Sequence, residues 1–374
     1  MSTTGPHRRS DSVVAQVGVL GRIVECFSLH SLDSALASCR ELIEQDAPLD
    51  VAVLGQFKAG KSSLLNTLVG AELLPVGVLP VTTVVTRLSG GPQTEARATY
   101  EDGRVEPIAV QRIADFVAEA GNPGNRRGVI FVDVQTPALA ELIGLRLVDT
   151  PGLGSILAYN TQSTQVWLPH VAVALLVISA DRPLADEDRK LLIEVRRHAP
   201  RVAIILSKVD LLREHQRAEV EAFVRAGLAR EGFDGATRIL PFSTRQQTQR
   251  WKGQLWRELL VPIAQRIEAE RARALRHKLA SLARAGREYL TVSLRAAERT
   301  EQQRAALKAA VLNESVREAV IRDELSLTAQ RLSGATRSAF EAHFSPRRAG
   351  LTELLMRRAA EEMPAWRGNL ATQR

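Results

Sequence analysis

Gly55-Gln56-Phe57-Lys58-Ala59-Gly60-Lys61-Ser62-Ser63, GQFKAGKSS, follows directly on the apolar run LDVAVL. Gly55, Gly60, Lys61 and Ser62 satisfy the pattern G-x-x-x-x-G-K-[ST]. Glycines let the backbone wrap closely around phosphate oxygens, so that its N–H groups and the start of the next helix face negative charge. In such a loop Lys61 reaches the β- and γ-phosphates and the Ser62 hydroxyl ligates Mg²⁺, with Ser63 beside them in the nucleotide-binding set. The context agrees: Val51–Leu54 reads as a buried strand, and KSSLLNTLVG as a helix ending at Gly70. A chance glycine-rich turn is the plain alternative, and a strand before and helix after weigh against it.

The base is decided downstream. LRLVDTPGLGS is an apolar strand running into Asp149-Thr150-Pro151-Gly152. Asp149 at the strand end can hold the water shell of Mg²⁺, and the Gly152 N–H can meet the γ-phosphate. VAVALLVIS, residues 171–179, is a second buried strand, and RVAIILSKVD follows it. There Lys208 can lay its stem along a purine ring, while Asp210 accepts two hydrogen bonds from N1–H and N2–H₂ of guanine. Adenine lacks that donor pair and would leave a buried Asp210 unpaired. ILPFSTR then supplies a strand followed by Ser243-Thr244, whose loop backbone contacts the guanine oxygen. Each tetrapeptide alone is weak, and SKVD by itself is an ordinary solvated strand end. Four elements in order, each leaving a strand, specify a site for GTP and GDP.

Composition fits a soluble protein around that site. The chain has 374 residues, 45% hydrophobic and 25% charged, enough for one large core and a helical appendage. Cys26 and Cys39, the only two cysteines, read as small buried apolar residues of a reducing compartment. The seven histidines are scattered without metal-ligand spacing. No apolar run approaches the ~20 residues that span a bilayer. MSTTGPHRRS has no apolar core behind it and reads as a loose start, not a signal peptide. A cytoplasmic location is the expectation. The net charge of +8 resides in the stretch from Arg271 to Arg374, the rest being near neutral. A basic tail suits anionic lipid, nucleic acid or an acidic protein surface; its plain reading is an arginine-rich solvated helix face.

The expected organisation is α/β: a P-loop GTPase fold with a mostly parallel sheet between helices, adjoined by an α-helical bundle from both ends of the chain. Residues 1–10 read as disordered, 11–46 as two helices, 47–250 as the GTPase domain, and 251–374 as helical bundle or partial stalk. In the second helix Leu32, Leu36, Cys39, Leu42 and Ile43 recur at helical spacing, with Ser31 or Asp33 as cap. From Trp251 to Gln330 only Pro262 interrupts a long helix or hairpin. RLSGATRSAF and HFSPRRAG then read as breaks before a last helix at 350–362.

Between the phosphate loop and DTPG lies AELLPVGVLPVTTVVTRL, a proline-bounded loop, then Thr82-Thr83, then a strand. A GTPase needs a threonine here whose hydroxyl joins Mg²⁺ and whose carbonyl holds the attacking water. Together with DTPGLGS, NTQSTQVWLPHVAVALLVISADRPL and the flanking helices, this resembles the GTPase domain of bacterial dynamin-like proteins, over roughly residues 45–250. The resemblance implies a GTPase with Mg²⁺ as cofactor. Lys61 and Ser62 carry over as phosphate and Mg²⁺ residues. Thr82 carries over as the switch threonine and a metal ligand, two residues after Pro80, with Thr83 as fallback. Asp149 and Gly152 carry over as γ-phosphate sensor, Asp149 also toward the metal, and Lys208 and Asp210 as guanine readers. It further implies GTPase domains that pair with one another, self-assembly at an anionic membrane or with a partner dynamin-like protein, and a peripheral place at the inner face of the cell membrane.

The sequence departs from that family in three places. Family members continue for several hundred more residues into a stalk and membrane-contacting tip, so a shortened chain or a short member relying on a partner is expected. Leu153 follows Gly152 where small GTPases carry a water-orienting glutamine. Animal dynamins instead use a glutamine two places after the first glycine; Phe57 stands there, and Gln56 is offset by one. Lys58 occupies the place of a serine that helps hold a monovalent cation in animal dynamins, so its ammonium either replaces that ion or simply faces solvent. Two other readings stay open: a GTP-binding scaffold that hydrolyses very slowly, and an RNA- or ribosome-associated GTPase. Only 4% of residues are aromatic, which argues against RNA as partner.

Overall fold

The computed structural model describes residues 6–44, 47–77, 84–150, 168–233, 235, 237–297 and 314–344, with 350, 353–354, 356–358 and 361. The chain divides into two compact units, Met1–Arg287 and Glu288–Arg374.

The first unit is built on nine described strands: β1 Leu49–Gly55, β2 Val85–Gly90, β3 Glu95–Tyr100, β4 Val105–Ile108, β5 Val129–Thr136, β6 Leu145–Asp149, β7 Val173–Ser179, β8 Arg201–Ser207 and β9 Ile239–Pro241. Their order is β4-β3-β5-β2-β6-β1-β7-β8-β9. β1 lies between β6 and β7, parallel to both, with Val53 opposite Asp149 on one side and Gly55 opposite Val177 on the other. β7, β8 and β9 continue the parallel run. The central strands are near-continuous Val, Leu, Ile and Ala, all of β1 after Asp50 being buried, as a sheet covered on both faces requires. β2 breaks the run: it is antiparallel to β6, and β3 is antiparallel to β5 and β4. A mostly parallel sheet is therefore correct, with an antiparallel wing beyond β6.

Two charged pairs cross this apolar sheet. Arg146 on β6 grips Asp50 on β1 through Nε and Nη2 at 2.5 and 3.0 Å, and Arg87 on β2 grips Asp133 on β5 at 2.6 and 2.5 Å. Each is bidentate and only partly exposed, the geometry in which an ion pair holds register instead of merely decorating a surface.

The helices are α1 Pro6–Cys26, α2 Asp33–Ile43, α3 Lys61–Val69, α4 Ala114–Val117, α5 Asp186–His198, α6 Glu214–Arg230, α7 Thr248–Leu255, α8 Val261–Gln265, α9 Ile267–Ala297 and α10 Glu314–Phe344. Several boundaries differ from expectation. Residues 6–10, expected to be disordered, belong to α1, which starts at a proline that has no N–H to satisfy in a first turn. α2 starts on Asp33, so Asp33 lies inside the first turn and Leu32 stands at the N-cap position. Cys26 is exposed where burial was expected, because α1 ends there, whereas Cys39 is buried, and both thiols are free. α10 runs unbroken through Gly334, where a break was expected. A lone glycine costs a helix only about 1 kcal/mol, too little to end one of this length. Of the last expected helix, 350–362, residues 350, 353–354, 356–358 and 361 are described, and all of them are helical.

Within the first unit, the beginning of α9 is fastened to the sheet layer by main-chain carbonyls. Arg271 Nη1 donates to Glu44 O at the end of α2, 3.0 Å, joining the N-terminal helices to the helix after the sheet. Arg201 Nη1 meets Glu270 Oε1 at 2.5 Å. His277 Nε2 lies 2.9 Å from Arg197 O, and Lys278 Nζ donates to Val171 O at 2.8 Å, to His198 O at 3.5 Å and to Pro169 O. Arg197 and His198 form the last turn of α5, whose unsatisfied carbonyls carry partial negative charge. Burial pushes the Lys278 ammonium down to about 8, against the pull of Cys39, Asp50 and Glu41.

Candidate functional site

β1, β6, β7 and β8 run parallel as neighbours, so their carboxyl ends lie along one edge of the sheet, the place where ligands bind in open α/β sheets. The phosphate loop leaves β1 there. A Cβ on Gly55 would stand 2.4 Å from Val177 O of the neighbouring strand, so only glycine lets the chain turn out of the sheet at that point. Gly60 takes a left-handed conformation, φ 95 and ψ 25, immediately before α3, which starts on Lys61. The loop is held from within by Lys61, whose Nζ donates to Gly55 O at 3.1 Å and Gln56 O at 3.3 Å. Burial keeps the Lys61 ammonium below the usual lysine range, opposed by Asp149.

Ser62 Oγ donates to Asp149 Oδ2 at 2.9 Å, bringing together the two residues the motifs assign to Mg²⁺ from 87 positions apart. Asp149 is fully buried, and its Oδ1 has no hydrogen-bond partner. Burial pushes its carboxyl up to about 6, with Lys61, Ser62 and the Thr150 N–H drawing it back down. A buried carboxylate with an unused oxygen beside a hydroxyl is an environment that a cation would complete, and Mg²⁺ would supply that charge. Among the described residues no group of three or more His, Cys, Asp or Glu forms a ready cage. Mg²⁺ needs none, since it keeps waters and takes phosphate oxygens beside one or two protein oxygens. The donor set fits that ion.

The residues expected to read the base lie at the ends of β8 and β9. Lys208 adopts a left-handed conformation at the turn leaving β8, φ 56 and ψ 35. It stands with Asp181 of the β7 loop, Nζ to Oδ2 3.9 Å. Asp210 is half-buried, not fully buried as expected, and Oδ1 accepts from Ser243 Oγ at 2.6 Å. The Ser243 hydroxyl also accepts from the Arg245 and Gln246 N–H groups at 3.0 and 3.1 Å, which fixes the loop after β9 around it. Ser243 is thus buried as an orienter of Asp210, while Thr244 is exposed on the same loop.

Two positioning residues escaped the sequence reading. Ser207 Oγ donates to Ala59 O of the phosphate loop at 2.6 Å, with Ile178 O at 3.2 Å, so the strand that leads to Lys208 and Asp210 is tied to the phosphate loop. Thr150 Oγ1 donates to Val53 O at 2.9 Å and pins the strand end that carries Asp149. Both sit inside stretches already singled out, SKVD and DTPG, but their roles depend on contacts 148 and 97 residues away. Gln56 turns its amide into the domain toward Asp188 on α5, whose carboxyl burial pushes up and Gln56 helps draw back down. Lys58 is exposed at φ 64, its Nζ 5.4 Å from the centre of the Phe57 ring. Ser63 is half-buried in the first turn of α3, and its carbonyl accepts from Thr67 Oγ1 at 2.8 Å. Thr82, Thr83 and Gly152 lie outside the described residues.

Residues 51–209 match the dynamin family. The chain is 30% identical over 216 residues to an uncharacterized protein in the xynA 3′ region of Caldicellulosiruptor sp., covering 58% of this chain and 54% of that one. It is 34% identical over 166 residues to Dynamin-like protein 2 of Campylobacter jejuni, covering 43% of this chain and 26% of that one. It thus spans about half or less of the length of these relatives. Among solved structures it resembles an oligomerised bacterial dynamin pair described as sensing and tethering membranes over long range. The TM-score is 0.50 at 20% identity, over 68% of this chain and 41% of that chain, a likeness of fold alone. Among the described residues, no helix is long and apolar enough to cross a membrane.

Proposed function

We propose, for a chain whose residues 51–209 match the dynamin family, that it binds GTP with Mg²⁺, hydrolyses it to GDP and phosphate, and couples hydrolysis to self-assembly at a membrane surface. The observation that carries this reading is one edge of the sheet with two ends. The Lys61, Ser62 and Asp149 end suits a metal-bound triphosphate, the Asp210 and Ser243 end suits guanine, and Ser207 ties them together. Mg²⁺ bound at Ser62 and Asp149 would neutralise charge on the β- and γ-phosphates. Lys61 lies buried beside that position and orients the terminal phosphates, so the chemistry asked of the protein is positioning and charge stabilisation. Thr82 is proposed to hold the attacking water and Gly152 the γ-phosphate. The membrane and the pairing of GTPase domains are inferred from the dynamin family, and a peripheral cytoplasmic location goes with them.

The test is GTP turnover measured against protein concentration, with and without anionic vesicles. Specific activity is expected to rise with concentration as domains pair; a constant value over a wide range would exclude pairing. Thr82→Ala is expected to leave GDP affinity nearly intact and to cut hydrolysis by a factor on the order of 10² or more, as loss of a water-positioning group does. An unaffected variant would move the role to Thr83.

Lys58 is proposed to bring the positive charge that a monovalent ion supplies in animal dynamins. Its ammonium is exposed on the loop rim and has no ion pair among the described residues that would keep it from turning onto the phosphates. Hydrolysis is then equally fast in potassium, sodium and a large inert cation at matched ionic strength. Lys58→Ser lowers the rate about a hundredfold, the effect of ~3 kcal/mol of lost charge stabilisation, and creates dependence on potassium or sodium. A variant within about twofold of wild type, with no response to the cation, leaves Lys58 as a screened surface charge.

A further inference from the structure

We propose that the groove along the outer edge of β9 is a docking site for an extended acidic segment of a partner protein, added to the sheet as a further strand. β9 is the last strand in the order, and no described strand pairs with its outer side. Its backbone register shows what it offers there. Ile204 N–H donates to Arg238 O and Phe242 N–H to Leu206 O, both at 2.8 Å, with Ile239 and Pro241 opposite Ile204 and Leu206. In a parallel ladder the groups that bond the neighbour alternate along the strand, so Ile239 N–H, Ile239 O and Pro241 O point away from β8. Pro241 has no N–H, which limits pairing to a short stretch centred on Ile239 and fixes its register.

That edge forms the floor of a groove of about 740 Å³. One wall is a single face of α6, running from Glu214 to Arg225, and the other is the face of α7 and the following turn, from Arg250 to Glu258. Trp251, itself buried, stands between two guanidinium groups, Arg217 at 5.8 Å and Arg250 at 4.8 Å from the ring centre. Neither arginine is in an ion pair among the described residues. Arg217 Nε bonds the carbonyls of Val209 and Leu212 at 3.0 and 3.3 Å, and Arg250 bonds the Gln247 side chain at 2.9 Å. Arg225 and Arg238 face Glu221 and Glu258 at 2.9 and 3.4 Å, in pairs so exposed that exchanging one carboxylate for another costs little.

These features together define the occupant. Main-chain bonds to Ile239 favour an extended segment, whose side chains alternate and return to the same face every second residue. Two arginines stacked on Trp251 and two in replaceable pairs favour carboxylates on that face. Arg217 also holds the loop that carries Asp210, so the groove wall and the base loop share one side chain.

Binding is tested on the full chain by fluorescence anisotropy with a labelled ten-residue peptide of alternating valine and glutamate. The same peptide with N-methylated amides keeps the charges and loses strand pairing. Saturable binding is expected, weakened at least tenfold by N-methylation and at least tenfold by Arg250→Glu, whose side chain bonds Gln247 and not the loop that carries Asp210. Arg217→Glu should act in the same direction, with thermal melting as the control for folding. Arg112→Glu and Arg127→Glu, toward the other end of the strand order, should leave binding unchanged. Any of four results overturns the proposal: no saturation at about 1 mM peptide, equal binding of an alternating valine–lysine peptide or an RNA oligonucleotide, equal binding of the N-methylated peptide, or binding undiminished by Arg250→Glu.

Discussion

Lys61→Ala abolishes measurable GTP turnover, by a factor on the order of 10³. The side chain is buried, and its ammonium sits between two carbonyls of the phosphate loop, where water screens it little. Charge fixed in such a place before the reaction contributes most as negative charge shifts in the transition state, and losing it costs about 4 kcal/mol. Lys61→Ala also leaves the Gly55 and Gln56 carbonyls without their internal donor, so loop order falls along with charge. Single-turnover phosphate release at saturating GTP separates the two effects from binding, and a thermal melt controls for folding. Lys61→Arg keeps the charge but puts a planar fork where a point donor fits, and it should recover only part of the loss. Turnover of Lys61→Ala within tenfold of wild type would remove this lysine from the chemistry.

Asp210→Asn is the second large effect, and it changes preference more than total affinity. The Asp210 carboxylate is held at Oδ1 by the buried Ser243 hydroxyl, which leaves Oδ2 and the remaining lone pairs for the base. Guanine offers two adjacent donors, and charged acceptors make such bonds at about 1.5–3 kcal/mol each. An asparagine kept in the same orientation by Ser243 presents an N–H₂ where guanine also presents a donor. GTP affinity should fall by a factor on the order of 10³, while xanthosine triphosphate, with an oxygen in place of the amino group, should bind better than GTP. Competition titrations with GTP, XTP and ATP measure all three. ATP binding as tightly as GTP to the unmutated chain would sink the guanine assignment before any variant is made.

The juxtaposition of the phosphate loop with Asp149 was legible because each part is written locally. Gly55, Gly60 and Lys61 form a phosphate cradle from contiguous backbone, and any strand that ends in such a loop and is followed by a helix builds much the same thing. Asp149, Lys208 and Asp210 follow apolar runs, and parallel strands of that kind converge at their carboxyl ends. Less legible were features whose sequence cue is smaller than the energy that overrides it. A helix as long as α10 absorbs Gly334, and α1 reaches back to Pro6 because proline fits a first turn. Cys26 and Cys39 look alike on paper and part company because α1 ends where α2 is still packed.

By itself the sequence determined the strand-loop-helix unit at Gly55–Ser62, the four nucleotide motifs in order, and the mostly parallel core that carries them. These depend on neighbours a few residues apart and on apolar periodicity. Only the tertiary structure decided that β2 runs antiparallel to β6, that Ser207 and Thr150 brace the phosphate loop and strand end, and that Ser243 orients Asp210. It alone decided that β9 ends the sheet with Ile239 lining a groove that holds four arginines and three glutamates. Strand order and long-range partners are selected by the packing of the whole core. A hydroxyl that donates across 148 residues leaves the same letter in the sequence as one that faces water.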